Sequence, residues 1–158
     1  MAGFTMLEIL IAIVILSIGL LGLAGLHAAG LKNTQNANYR TVAMFQAYDM
    51  ADRMRSNAEG LYNGAYDNIT TSIPSDPGCI STGCTYTQLR DYDQRIWNQN
   101  NAAWLPSGQG TVKVSGTNPN EEYVITVMWD EYRTGATGIG CSGDSSTDLT
   151  CFSVRIRP

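Results

Sequence analysis

The sequence predicts an α+β fold. A long N-terminal helix, membrane-spanning over its first half and amphipathic over its second, packs on a small antiparallel sheet with two local disulfides. Three observations predict it. From Ile9 to Leu26 an apolar and glycine run is interrupted only by Ser17. Beyond Leu31, apolar residues recur at helical spacing. Toward the C-terminus, short segments alternate apolar and polar side chains as half-buried strands do.

At 158 residues the chain is one domain, or one domain with an extension. Its net charge is −4, and its ten Lys and Arg residues form no basic stripe. Nucleic-acid binding is therefore not expected, because phosphate neutralisation needs clustered cations. Beyond the apolar start, the chain is rich in Gly, Asn, Ser, Thr and Tyr, as many exported folds are.

The first element is the apolar run. Ile9 to Leu26, at 1.5 Å per helical residue, covers roughly 27 Å, close to the thickness of bilayer hydrocarbon. Counting from Phe4 to Leu31 lengthens it enough to cross with some tilt. A buried core helix would show a polar face, and none exists here. A cleaved secretory signal would have a shorter apolar region behind a basic one. A membrane span fits best. Glu8 is then anomalous, because a carboxylate near hydrocarbon costs a few kcal/mol unless wet or partnered. It is either an idle interfacial group or the partner of a cation in the apolar phase. The best cation would be a backbone amine created just before Phe4. Gly19, Gly22 and Gly25 lie along one side of the helix. They either form a packing groove or weaken the segment, at about 1 kcal/mol each relative to Ala.

The second half of the helix carries a stripe: Tyr39, Ala43, Ala47, Met50, Met54 and Leu61. Asp49, Asp52 and Arg53 fall opposite, with Asp49 and Arg53 placed as a favourable i,i+4 pair. A methionine-containing stripe at this spacing reads as core. Gly60 and the Tyr62-Asn63-Gly64 turn end the helix, which is expected to run from Phe4 to about Glu59, roughly 84 Å. Residues 66–83 read as loop. Their Asn68-Ile69-Thr70 sequon is a weak motif. Thr85 and Gln88 fit a capping box that opens a second helix, with Leu89, Tyr92, Ile96 and Trp97 as its apolar side and Asn98–Asn101 weakening it. Strands are expected at Thr111–Val114, Tyr123–Trp129 and Phe152–Ile156, forming an antiparallel sheet covered on one face by the helix stripe.

Four cysteines allow three connectivities. Local pairing, Cys79–Cys84 and Cys141–Cys151, is expected because each pair brackets a Gly/Ser-rich loop. The rival is a zinc site, but neither spacing is CxxC and the only histidine, His27, lies in the apolar span. Disulfides would place the globular part in an oxidising compartment. Any Ser-His-Asp or Cys-His chemistry would also have to use His27. Asp130-Glu131 and Asp144 to Asp148 could bind a cation but read as solvated acidic loops, and Gly138-Ile139-Gly140 reads as a turn. No catalysis, metal or cofactor is expected.

Gly3-Phe4-Thr5-Met6-Leu7-Glu8, followed by the apolar run, resembles the signal of type IV pilins and type II secretion pseudopilins. The resemblance implies cleavage by a prepilin peptidase between Gly3 and Phe4, N-methylation of Phe4, and an assembly role for Glu8 opposite the amine of an adjacent subunit. Residues 1–3 would be a leader remnant, 4–31 the transmembrane and filament-core helix, and 32–158 the periplasmic globular domain. Within that domain the helix would cover 32–59, the loop and second helix 60–105, and the sheet and disulfide loop 106–158. Family leaders carry Lys or Arg, whereas Met1-Ala2-Gly3 has neither, so the natural leader is expected to be longer.

Further pieces resemble minor pilins of the PilV type: Ser17–Leu26, Ala51–Asn57, Trp97, Leu105–Gly110 and Val127–Trp129. That resemblance implies a low-copy subunit near the pilus tip. Such a subunit primes assembly with other minor pilins and the major pilin, sits in the inner membrane before assembly, and helps present a large tip adhesin. Two alternatives stay open: a minor pseudopilin of a type II secretion system, and a membrane-anchored periplasmic binding module.

Overall fold

The computed structural model describes residues 5–116 and 121–157. Helix α1 (Met6–Ser56) is followed by α2 (Ala58–Tyr62), β1 (Asn68–Ile69), α3 (Cys79–Thr82), α4 (Tyr86–Trp104), β2 (Gln109–Ser115), β3 (Glu122–Trp129) and β4 (Thr150–Ile156). The chain divides into two compact units, with the break between Asn38 and Tyr39.

In the second unit the α1 stripe is the floor of the core. Tyr39, Ala43, Ala47, Met50, Ala51 and Met54 are buried. Leu61, expected on the same helix, is buried from α2. Each buried methionine contributes roughly 1.5–3 kcal/mol of apolar transfer. α1 ends at Ser56 rather than near Glu59, because Asn57 leaves helical geometry. The Asn57 side chain accepts the Gly60 N–H at 3.2 Å, capping α2, and donates to the Tyr66 hydroxyl and the Tyr86 carbonyl.

The sheet is antiparallel throughout, in the order β1-β2-β3-β4. Its register places Val112 opposite Ile125 and Ile125 opposite Val154. Tyr123, Ile125, Val127 and Trp129 face α1 and are buried. The outer face carries Lys113, Val124 and Arg155 in one cross-strand row. Residues 66–83 are not all loop. β1 pairs with Val112 and Lys113 of β2, and α3 forms a single turn inside the first disulfide. Two strand residues and four helical ones are too few for periodicity to register.

α4 begins as expected. The Thr85 hydroxyl accepts the Gln88 N–H at 3.3 Å, and Gln88 Oε1 accepts the Thr85 N–H at 3.0 Å. Its buried face differs from the expected one. Of the expected side Trp97 is buried but Leu89, Tyr92 and Ile96 are only half-buried, and Asp93, Gln94, Asn98 and Asn101 share the buried face with Trp97. The asparagines do not weaken the helix, because they dock it. Asn98 Nδ2 donates to the Thr70 and Gly110 carbonyls, and Asn98 Oδ1 accepts the Gly110 N–H at 2.7 Å. Gly110 must be glycine, because a Cβ there would overlap the Trp97 indole.

Both cysteine pairs are local disulfides, Cys79–Cys84 and Cys141–Cys151, with Cα separations of 5.0 and 5.7 Å. Each closes a short loop, which stabilises by roughly 2–3 kcal/mol on the chain-entropy account.

Candidate functional site

The first unit offers the more unusual chemistry. α1 starts where Thr5 caps it: the Thr5 hydroxyl accepts the Glu8 N–H at 3.3 Å, and the Thr5 carbonyl accepts it at 3.0 Å and that of Ile9 at 3.3 Å. Glu8 is thus the third helical residue, where the positive end of the helix macrodipole favours a carboxylate. It is the only acidic or basic side chain from Met6 to Leu31 apart from His27. Around it, Leu7, Ile9, Leu10 and Ile11 are all at least half exposed, and the pattern continues to Leu31. A helix exposing this much apolar surface needs lipid or other helices around it.

Two hydroxyls in the unit are satisfied within the helix. Ser17 Oγ donates to the Ile13 carbonyl at 2.7 Å, and Thr34 Oγ1 donates to the Gly30 carbonyl at 3.0 Å. Ser17 therefore adds no orphan donor to an apolar environment. A Cβ added at Gly19, Gly22, Gly25 or Gly30 would meet nothing within 4 Å. No packing in the described chain explains those glycines. Gly3 and Phe4, the residues expected at the processing site, lie outside the described residues.

The second unit holds several buried acids, and each is tied into the fold. Asp93 accepts the Tyr66 hydroxyl at 2.6 Å and Arg53 Nη1 at 3.3 Å, while Arg53 Nε reaches Asp49 at 2.8 Å. Burial pushes the Asp93 carboxyl up, against the pull of Tyr66 and Arg53. The same burial, with Asp93 beside it, pushes the Tyr66 phenol up. This network joins α1, α4 and the segment after α2. Sequence reading missed it, although Asp93 lies four residues before Trp97, on the same side of α4.

Asp130 and Glu131 are buried rather than solvated, contrary to the sequence expectation. Glu131 takes Arg40 in two bonds, from Nε at 3.1 Å and Nη2 at 3.2 Å. Asp130 accepts the N–H groups of Thr134 and Gly135 at 3.0 and 2.8 Å, making the end of β3 into a capped turn. Desolvation would raise the Asp130 carboxyl, but these bonds outweigh it and hold it below the usual carboxylate range. A depressed folded value gives stability that is present above the unfolded value, about 3.9, and lost as pH falls through the folded one. Asp130→Asn is therefore expected to lower stability by about 1–2 kcal/mol at neutral pH and to flatten the loss below pH ~4. Urea denaturation of both proteins at pH 7 and pH 3 checks this.

Asp144 and Asp148 are spent on their own loop: Asp144 accepts from Ser146, and Asp148 from the Gly140 and Ser142 N–H groups. Among the described residues, no three His, Cys, Asp or Glu side chains are grouped as a metal site would require.

Two family models match the chain in succession. One is described as the prokaryotic N-terminal methylation motif and covers residues 1–24. The other is described as Tt1218-like, type IV pilin Tt1218, and covers residues 25–95. No curated protein and no solved structure matches.

Proposed function

We propose, from the premise that this chain is a type IV pilin, that it is a minor pilin which primes pilus assembly and takes a place at or near the pilus tip. The type IV pilin family is structural rather than enzymatic, and its members associate with other pilins and with the prepilin peptidase. The apolar N-terminal helix and the methylation motif point to membrane anchoring before assembly. In the finer reading, the peptidase cuts after Gly3 and methylates Phe4. The helix then crosses the inner membrane once, and the disulfide-bonded domain stands in the periplasm. A tip adhesin and the other minor pilins are its partners in the filament.

The observation that carries this reading is Glu8. It is a carboxylate at the third position of an exposed apolar helix, four residues after the amine that cleavage would create at Phe4. In a filament that stacks these helices, the carboxylate of one subunit would meet the amine of a neighbour. Two opposite charges buried together offset part of each other's desolvation, and a mismatched axial register leaves both unpaired. Support for the minor role is the PilV-type resemblance along Ala51–Asn57, Leu105–Gly110 and Val127–Trp129.

Two measurements test it. Gly3→Val is expected to leave an uncut precursor on a gel and in intact-mass spectra, whereas the native protein starts at a methylated Phe4. A normal mature band from the variant would refute the cleavage site. Immunogold labelling of purified pili is expected to mark filament ends, and uniform labelling along the shaft would refute the tip position.

A further inference from the structure

Strand β4 ends the sheet. β3 lies on one side of it, and among the described residues no strand lies on the other. The opposite edge, β1, is only two residues long, whereas β4 runs for seven residues without proline. Unpaired strand edges are usually shortened, bulged or covered, because their free N–H and C=O groups recruit other chains. Here a groove of about 410 Å³ runs beside the free edge. Its walls are Thr41 and Met44 of α1 on one side and Trp129, Thr150 and Phe152 on the other. Side chains from an added strand that point toward α1 would enter this groove.

Side chains pointing the other way would meet Arg155 and Arg157. These are 71% and 74% exposed, and among the described residues they share one acidic partner, Glu122, at 3.5 and 3.7 Å. Two guanidiniums against one carboxylate leave uncompensated positive charge on a chain whose net charge is −4. Lys113 lies on the same face, separated from Arg155 by Val124.

We propose that β4 accepts, as a fifth strand, an extended segment of another protein in which apolar side chains alternate with acidic ones. Main-chain bonds to the free edge supply the affinity, the groove takes the apolar side chains, and the two arginines select the acidic ones. The proposal is independent of Glu8 and of the position of the subunit in a filament.

The test uses the full chain in detergent micelles and a synthetic peptide of alternating valine and glutamate. Amide hydrogen exchange across β4 is expected to slow about tenfold or more at saturating peptide. The same peptide N-methylated at alternate residues is expected to give no protection, because its edge donors are gone. The doubly substituted variant Arg155→Glu/Arg157→Glu, with wild-type melting, is expected to bind the acidic peptide about tenfold more weakly. Unchanged β4 exchange at millimolar peptide overturns the proposal. So does equal protection by a valine–lysine peptide or by the N-methylated one, since either means non-specific adsorption.

Discussion

Trp97→Ala is expected to be the most destabilising single substitution in the globular unit, by about 3–5 kcal/mol. Trp97 is fully buried on α4 and touches two other elements, α1 and β2. Its indole N–H donates to the Gln46 carbonyl of α1 at 2.8 Å, and its ring lies against the Cα of Gly110 on β2, a contact that any Cβ would abolish. Truncation removes the transfer energy of the ring and leaves a cavity that Gly110, having no side chain, cannot fill. A loss of that size is a third or more of the stability of an ordinary domain. Trp97→Phe keeps most of the volume and loses the hydrogen bond, so about 1–2 kcal/mol is expected. Urea denaturation of the full chain in micelles, followed by far-ultraviolet circular dichroism, orders the three proteins. Equal midpoints for Trp97→Ala and wild type would mean that the α4 contact with α1 and the sheet does not carry the fold.

Glu8→Leu is expected to reduce incorporation into filaments by a hundredfold or more while leaving membrane insertion intact. Removing one partner of a buried ion pair strands the other, at about 3–5 kcal/mol. Insertion needs only the apolar run, and Leu extends it. The informative companion is Glu8→Gln. Glutamine serves well at the third helical position, so a purely capping role would survive the change. A role in neutralising a neighbour's amine would not. Quantitative immunoblots of sheared pili against whole-cell membranes separate the outcomes. Wild-type incorporation of either variant would remove the ionic account of assembly.

Much of the fold was legible because its signals are local and periodic. The apolar run, the Tyr39–Met54 stripe and the alternating strands each repeat over several turns or pairs, and the Thr85–Gln88 cap is complete within one turn. The two disulfides were legible from loop composition. The features that escaped are polar groups whose partners are distant in sequence. Asn57 looks like one more helical residue until the Tyr66 hydroxyl and the Tyr86 carbonyl are in place to hold it. Asn98 looks solvent-facing until the edge of Gly110 needs both a donor and an acceptor. Asp130 and Glu131 look like a wet turn until Arg40 and the Thr134 and Gly135 N–H groups close over them. The candidate site divides the same way. Glu8 is conspicuous in the sequence because nothing like it surrounds it, while the amine proposed as its partner would sit on a different polypeptide chain, and one chain's sequence holds no record of such a contact.

The strand order β1-β2-β3-β4 follows the chain, with each strand pairing to the one made just before it. Only the β2–β3 link is short and closes at little entropic cost; β1 and β2 are separated by α3 and α4, and β3 and β4 by the loop that carries Cys141. In a chain made from its N-terminus, the stripe on α1 is complete before the sheet and is there as a template when β2 and β3 close. β1 has to wait until α3 and α4 are made before its mate arrives, so that edge of the half-made sheet stays open longest to proteases and to its neighbours.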